Sequence, residues 1–193
     1  MRRHVSDPYV RKAREQGYRS RAAYKLIQIN EKEKLLRPGA TVVDLGAAPG
    51  GWSQVAAAAV GRKGAVVAVD LLELAPISGV RILRGDFREA NLSEHLPGGR
   101  ADVVLSDLSP NLSGIPNVDQ ARSAQLVEAA LDFCRKALKP QGAFVTKAFH
   151  GVAFEEVAKA VRSTFRDVKT VKPSASRGES SETYLVARNL RPL

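Results

Sequence analysis

The densest run of chemically informative residues in this chain is the glycine-rich turn Asp44-Leu45-Gly46-Ala47-Ala48-Pro49-Gly50-Gly51-Trp52. It follows a short β-branched run, Thr41 to Leu45, and leads into an alanine-rich stretch that ends at Val60. A strand that turns into a helix presents its loop at the carboxyl edge of an open α/β sheet, where ligands bind. Gly46 and Gly50 allow a ligand to approach the main chain closely. A dinucleotide loop would need G-x-G-x-x-G, so that helix amides cradle a pyrophosphate. Here the second glycine is missing and Pro49 removes an amide donor. The loop therefore favours a ligand without phosphates. Trp52 reads equally as a ligand contact or as a core anchor.

S-adenosylmethionine has the parts such a loop would hold: an amino-acid end, a sulfonium and an adenosine. Asp70, at the end of the next apolar run, is placed to take both ribose hydroxyls, and Asp86, after the third run, to accept from an adenine amino group. Ordinary strand-end turn chemistry is the structural alternative for both acids. Lys147 stands in the apolar run Ala143-Phe-Val-Thr-Lys-Ala-Phe149. Burying an ammonium is costly unless it is paired or loses its proton. Either Lys147 snorkels from a strand end, or it activates a hydroxyl nucleophile by removing or steering its proton. Asp107 closes a neighbouring run, where it can orient Lys147 and lie beside a sulfonium.

Five apolar runs and the stretches between them set these residues in place. Thr41–Leu45, Gly64–Asp70, Val80–Gly85, Asp102–Asp107 and Ala143–Lys147 read as strands, and Gly50–Val60, Asn117–Leu138 and Phe154–Phe165 as helices. The third of these helices follows the fifth strand, and Lys139-Pro140 reads as the stop of the second. Strands near Asp167–Val171 and Thr183–Arg188 flank the polar loop Pro173–Ser181 and read as a hairpin. Alternation of this kind predicts a Rossmann-like, mostly parallel seven-stranded α/β sheet with helices on both faces. Two further helices precede it, with Ser6-Asp7-Pro8 and Ser20 as their expected caps.

The formal net charge of +10 is unevenly spread. Residues 1–37 hold eleven Lys/Arg against four Asp/Glu, residues 38–158 eleven against thirteen, and residues 159–193 eight against three. A near-neutral body with basic ends suggests a polyanionic partner, with nucleic acid favoured over mere solubility charge. One domain of 193 residues is expected, with residues 1–37 a basic helical arm and 38–193 the catalytic core. No apolar run approaches the roughly 18 residues that cross a bilayer, and the N-terminus does not read as a secretory signal. With Cys134 the only cysteine, no intrachain disulfide is possible and a reducing compartment, the cytoplasm, is expected. A monomer without membrane contact is the expectation. His4, His95 and His150 are far apart in sequence, so no metal is expected.

Taken together, these motifs resemble the FtsJ/RrmJ (RlmE) family of ribosomal RNA 2′-O-methyltransferases. The resemblance covers almost the whole chain. It runs through Gly17-Tyr-Arg-Ser-Arg-Ala-Ala-Tyr-Lys-Leu26, Asp44 to Gln54, Gly85-Asp86-Phe87, Ser106-Asp-Leu-Ser-Pro-Asn111, Val145-Thr-Lys-Ala-Phe149 and Glu182-Thr183-Tyr184. It implies a Lys-Asp-Lys-Glu tetrad on Lys25, Asp107, Lys147 and Glu182, with Lys147 as base or hydroxyl-steering group. By themselves Lys25 reads as a solvated helix charge and Glu182 as an exposed hairpin acid. The resemblance also implies S-adenosylmethionine as donor, and as substrate a uridine in the A-loop of 23S rRNA within the 50S subunit. Leu108, Ser109 and His150 depart from the family's usual Met, Ala and Gln.

Other reaction classes fit less well. An amino-group methyltransferase wants an Asn/Asp-Pro-Pro-aromatic turn to stack a flipped base, and Asp107-Leu-Ser-Pro110 has no aromatic. A carbon-5 pyrimidine methyltransferase needs a nucleophilic cysteine, whereas Cys134 falls in mid-helix. A nicotinamide oxidoreductase lacks its glycine pattern. A non-enzymatic RNA-binding factor leaves Lys147, Asp70 and Asp86 without a purpose.

Overall fold

The computed structural model describes residues 7–111, 113–178 and 180–192; Ser6, read as part of a cap, and His4 lie outside them. Seven strands form one sheet: β1 Thr41–Leu45, β2 Ala65–Asp70, β3 Val80–Arg84, β4 Ala101–Ser106, β5 Leu138–Phe149, β6 Phe165–Val171 and β7 Glu182–Leu190. Their spatial order is β3-β2-β1-β4-β5-β7-β6. The first five run parallel, and β7 inserts antiparallel between β5 and β6. The strand order reverses at β1 and β4, where an open sheet presents its ligand crevice.

Helices α1 Pro8–Glu15, α2 Ala23–Glu33, α3 Gly51–Val60, α4 Pro116–Ala137 and α5 Phe154–Thr164 complete the chain. Side-chain parity sorts them onto two faces. Val42, Val66, Val103, Leu105, Val145 and Val186 point to one face and pack with Ala23, Leu26 and Ile29 of α2 and Val55 and Ala56 of α3. Val43, Leu45, Val67, Val104, Phe144 and Leu185 point to the other, against Val127, Leu131 and Cys134 of α4 and Val161 of α5. Helix α2 is thus a layer of the core. Helix α1 meets the rest through a small cluster, Ala13 with Tyr24 and Ala175.

Two local expectations change, and one is met. Ser20 does not cap α2: the helix starts from Ala22 in helical geometry without a side-chain cap, and the Ser20 hydroxyl finds no partner. The cap of α1 is Asp7, which accepts from the Tyr9 N–H at 3.0 Å. The chain leaves α4 at Ala137 and enters β5 directly, so Pro140 lies within the strand and not in a turn. It is tolerated because the β4–β5 register shifts there, Ala101 pairing with Leu138 and Val103 with Ala143, which leaves Lys139–Gly142 out of the ladder. Cys134 is fully buried among the α4 contacts, and burial pushes its thiol up, away from the reactive thiolate.

Candidate active site

Four segments remote in sequence deliver a cluster of charged side chains to one face of the sheet. Asp107 continues the parity of Val103 and Leu105, and Lys147 that of Ala143 and Val145; Lys147 pairs across the ladder with Tyr184 of β7. Glu182, two residues before Tyr184, shares its face. Lys25 comes down on them from α2. All four expected tetrad residues therefore converge, and the solvated readings of Lys25 and Glu182 do not survive: they are 8% and 9% exposed.

The cluster consists of two linked ion pairs. Lys25 Nζ lies 2.7 Å from Glu182 Oε1, and Lys147 Nζ lies 3.3 Å from Asp107 Oδ1 while donating to the Asp107 carbonyl at 2.9 Å. Tyr184 joins them: its hydroxyl donates to Asp107 Oδ1 at 2.8 Å, and Lys25 Nζ stands 6.0 Å from its ring centre. Burial would raise the Glu182 carboxyl, but the Lys25 bond and charge, the Ser176 hydroxyl and the Lys147 charge outweigh it and hold it below its ordinary value. Ser176 Oγ donates to Glu182 Oε1 at 2.9 Å. Burial, and then the charges of Asp107 and Glu182, push the Tyr184 phenol far up, so it remains a proton donor.

Beside this cluster opens a cleft of about 580 Å³, lined by Gly46, Asp70, Asp86, Asp107, Leu108, Leu71 and Leu72 among others. Gly46 has φ +73°, and a Cβ there would collide with the Leu108 side chain. The Asp70 carboxylate accepts from the Ala48 N–H at 2.9 Å and the Leu72 N–H at 2.8 Å, which fixes the loops on both sides of it. Its remaining lone pairs are available to a ligand. Asp86 faces the cleft with both oxygens on the Arg88 guanidinium, whose hydrogen bonds hold the carboxyl below its ordinary value.

Pro49, Gly50 and Trp52 do not line that cleft. The Trp52 side chain is 3% exposed, donates from Nε1 to the Ala22 carbonyl at 2.8 Å and packs on Tyr184 with ring centres 5.6 Å apart. Its side chain is a core anchor that supports the reacting face. Pro49 offers its carbonyl to Arg19. Beneath the loop, Asp44 is 1% exposed and takes the Ser53 hydroxyl at 2.6 Å. Burial, then the charges of Asp107 and Asp70 against the opposing Ser53 bond, leave its carboxyl pushed up to about 7.

The family model described as FtsJ-like methyltransferase matches residues 18–190. The chain belongs to this family of methyltransferases. A "Ribosomal RNA large subunit methyltransferase E" from Marinobacter nauticus is 53% identical over 192 residues, 97% of this chain and 93% of the relative. One of the same name from Nitrosospira multiformis is 53% identical over 195 residues, covering 99% and 95%. Among solved structures, a ribosomal RNA methyltransferase from Plasmodium falciparum superposes with a TM-score of 0.78 at 28% identity, covering 90% of this chain and 98% of the other. Fibrillarin from Aeropyrum pernix, at 16% identity and a TM-score of 0.61, shares the fold.

Sequence reasoning missed Tyr184 and Ser176 as parts of the cluster, and gave Asp44, named in the glycine turn, no role of its own. Tyr184 carried a signal, since it shares parity with Glu182 on a strand already placed. Ser176 carried none, because its meaning depends on tertiary packing setting Glu182 against it.

Proposed function

We propose that this chain transfers the methyl group of S-adenosylmethionine to a ribose 2′-hydroxyl of large-subunit ribosomal RNA, with a uridine of the 23S A-loop in the 50S subunit as target. The observation that carries the reading is Asp107, which lines the cleft and pairs with Lys147, with Lys25–Glu182 beside them. The names of the relatives support the substrate, and fibrillarin's natively bound S-adenosylmethionine supports the donor.

The residues present fit that donor. The Ser20 hydroxyl is buried without a partner, and a Cβ on Gly51, first residue of α3, would come within 2.5 Å of it. An unpaired donor at a helix N-terminus suits the donor's carboxylate end. Asp70 would take the ribose hydroxyls, Asp86 the adenine amine, and Gly46 the close approach. S-adenosylmethionine supplies an electrophilic methyl group. Asp107, fixed by Tyr184, holds Lys147 against the cleft mouth, where its amine takes or redirects the proton of the attacking hydroxyl. Lys25 and Glu182 orient the ribose and neutralise one another, so that no unpaired charge is buried.

Ribose-protection mapping of cellular RNA, with and without the chain, tests the reading. Loss of one protected uridine in large-subunit RNA is the expected result, restored by purified protein acting on isolated subunits. Loss of a base methylation, or of a mark on transfer RNA alone, would overturn it.

A further inference from the structure

Arg19 lies in the turn between α1 and α2, outside the reacting cluster, yet its guanidinium reaches two other loops. Nη1 donates to the Pro49 carbonyl at 3.3 Å and the Ala75 carbonyl at 2.7 Å, and Nη2 to the Pro76 carbonyl at 2.7 Å. Its main-chain N–H donates to Gln54 Oε1 at 2.9 Å, and Gln54 Nε2 donates back to the Gly17 carbonyl at 3.0 Å. Carbonyls from the glycine loop and from the β2–β3 connection thus converge on one planar cation. A lysine, with a single nitrogen, cannot reproduce that fork. Gly50 records the closeness: it has φ +111°, and a Cβ would lie 2.6 Å from Ile77 Cδ1 and 3.2 Å from Arg19 Nη1.

Both loops are walls of the cleft, through Gly46 and Ala48 on one side and Leu71 and Leu72 on the other. Residues 71–79 contain no helix or strand, and Leu71 and Leu72 are each 65% exposed. Leu74, buried against Ala47 and Ala68, the Leu72 N–H on Asp70 and Ile77 against Gly50 also hold this connection, and Arg19 gives it two hydrogen bonds, to the Ala75 and Pro76 carbonyls.

We infer that Arg19 is a positioning residue for the methyl donor: it clamps the β2–β3 connection to the glycine loop and thereby sets the cleft that the donor enters. The inference rests on the donor site proposed above. It makes the Gly17–Ser20 turn a part of donor binding as well as the lead into Lys25.

The test is calorimetric titration of S-adenosylmethionine into the parent chain, Arg19→Lys and Arg19→Met, with hydrogen exchange along the chain and steady-state kinetics on the RNA substrate. Kd and KM for the donor are expected to rise about tenfold in both variants, the scale of one lost charge-assisted bond. At saturating donor, kcat should stay within about twofold of the parent. Exchange should quicken in residues 71–79 and not in β5 or β7. Arg19→Lys should resemble Arg19→Met, because the fork matters and not the charge. Should the Arg19 variants fail to fold, Ile77→Ala loosens the same contact and should cost about threefold in donor affinity. Unchanged donor affinity in folded Arg19→Met overturns the clamp, as does a fall in kcat and thermal stability at unchanged Kd. A parent chain that fails to bind the donor in the first titration would overturn the donor site itself, and the clamp with it.

Discussion

The glycine cleft and the reacting cluster sit side by side but are built in opposite ways. The cleft starts from a local feature, the strand–turn–helix passage from Asp44 to Trp52, and its lining adds residues at the ends of β2, β3 and β4 beside it. Asp70 is tied by the main-chain N–H groups of Ala48, from the glycine turn, and of Leu72, and Asp86 by a guanidinium two residues away. The cluster is assembled across the chain, with Lys25 on α2, Asp107 after β4, Lys147 on β5 and Glu182 on β7. A local turn can be recognised from its residues because its geometry follows from them. An assembled pair cannot, since each half is an ordinary charged residue until packing brings the other within reach.

That contrast implies separable losses, and the largest belongs to the cluster. Lys147→Ala should cut turnover by at least about 10²-fold, the lower range for lost acid–base catalysis, with donor affinity unchanged by calorimetry. Unchanged turnover would remove Lys147 from the reaction; a parallel loss of donor affinity would show that cleft and cluster are one unit. Asp70→Ala should do the reverse. Donor Kd should rise about tenfold to a hundredfold as charge-assisted bonds are lost, while turnover at saturation changes little. A collapse of kcat with Kd intact would break the division.

Ser176→Ala probes how far the cluster's support extends. Removing its hydroxyl takes away a bond that lowers the Glu182 carboxyl, so the acidic limb of the pH–rate profile should move to higher pH and turnover fall about threefold to tenfold. Ser176→Thr should restore both; a profile that does not move would make the bond merely structural. The last effect concerns stability and lies beneath the glycine loop. Folding raises the Asp44 carboxyl from 3.8 to about 7, so the folded chain binds more protons than the unfolded one between those values. Its contribution to stability therefore declines as pH rises through that window. Urea denaturation of Asp44→Asn should show a shallower decline between about pH 4 and 7 than the parent. An identical slope would assign the pH dependence to other groups.

Much of the sheet was legible because buried parallel strands read as β-branched apolar runs and amphipathic helices separate them. β5 was read too short, since Lys139-Pro140 mimics a helix stop while a register shift lets the strand run through it. Within the site, Gly46, Asp70 and Asp86 followed from their place at strand ends. Lys25 and Glu182 were reached only through the family resemblance. Trp52 was left open and proved a core anchor through its side chain, decided by Tyr184 packing against it.

By itself the sequence determined the alternation of strands and helices, the strand–turn–helix passage of the glycine turn, and the placing of Lys147 in an apolar strand. All three depend on neighbours within a few residues. Only the tertiary structure decided that α2 lays Lys25 against Glu182, that Tyr184 bridges the two ion pairs, and that Arg19 ties two distant loops together. The Lys25–Glu182 pair spans 157 positions, and its burial excludes water from charges that would be screened and nearly inert at the surface.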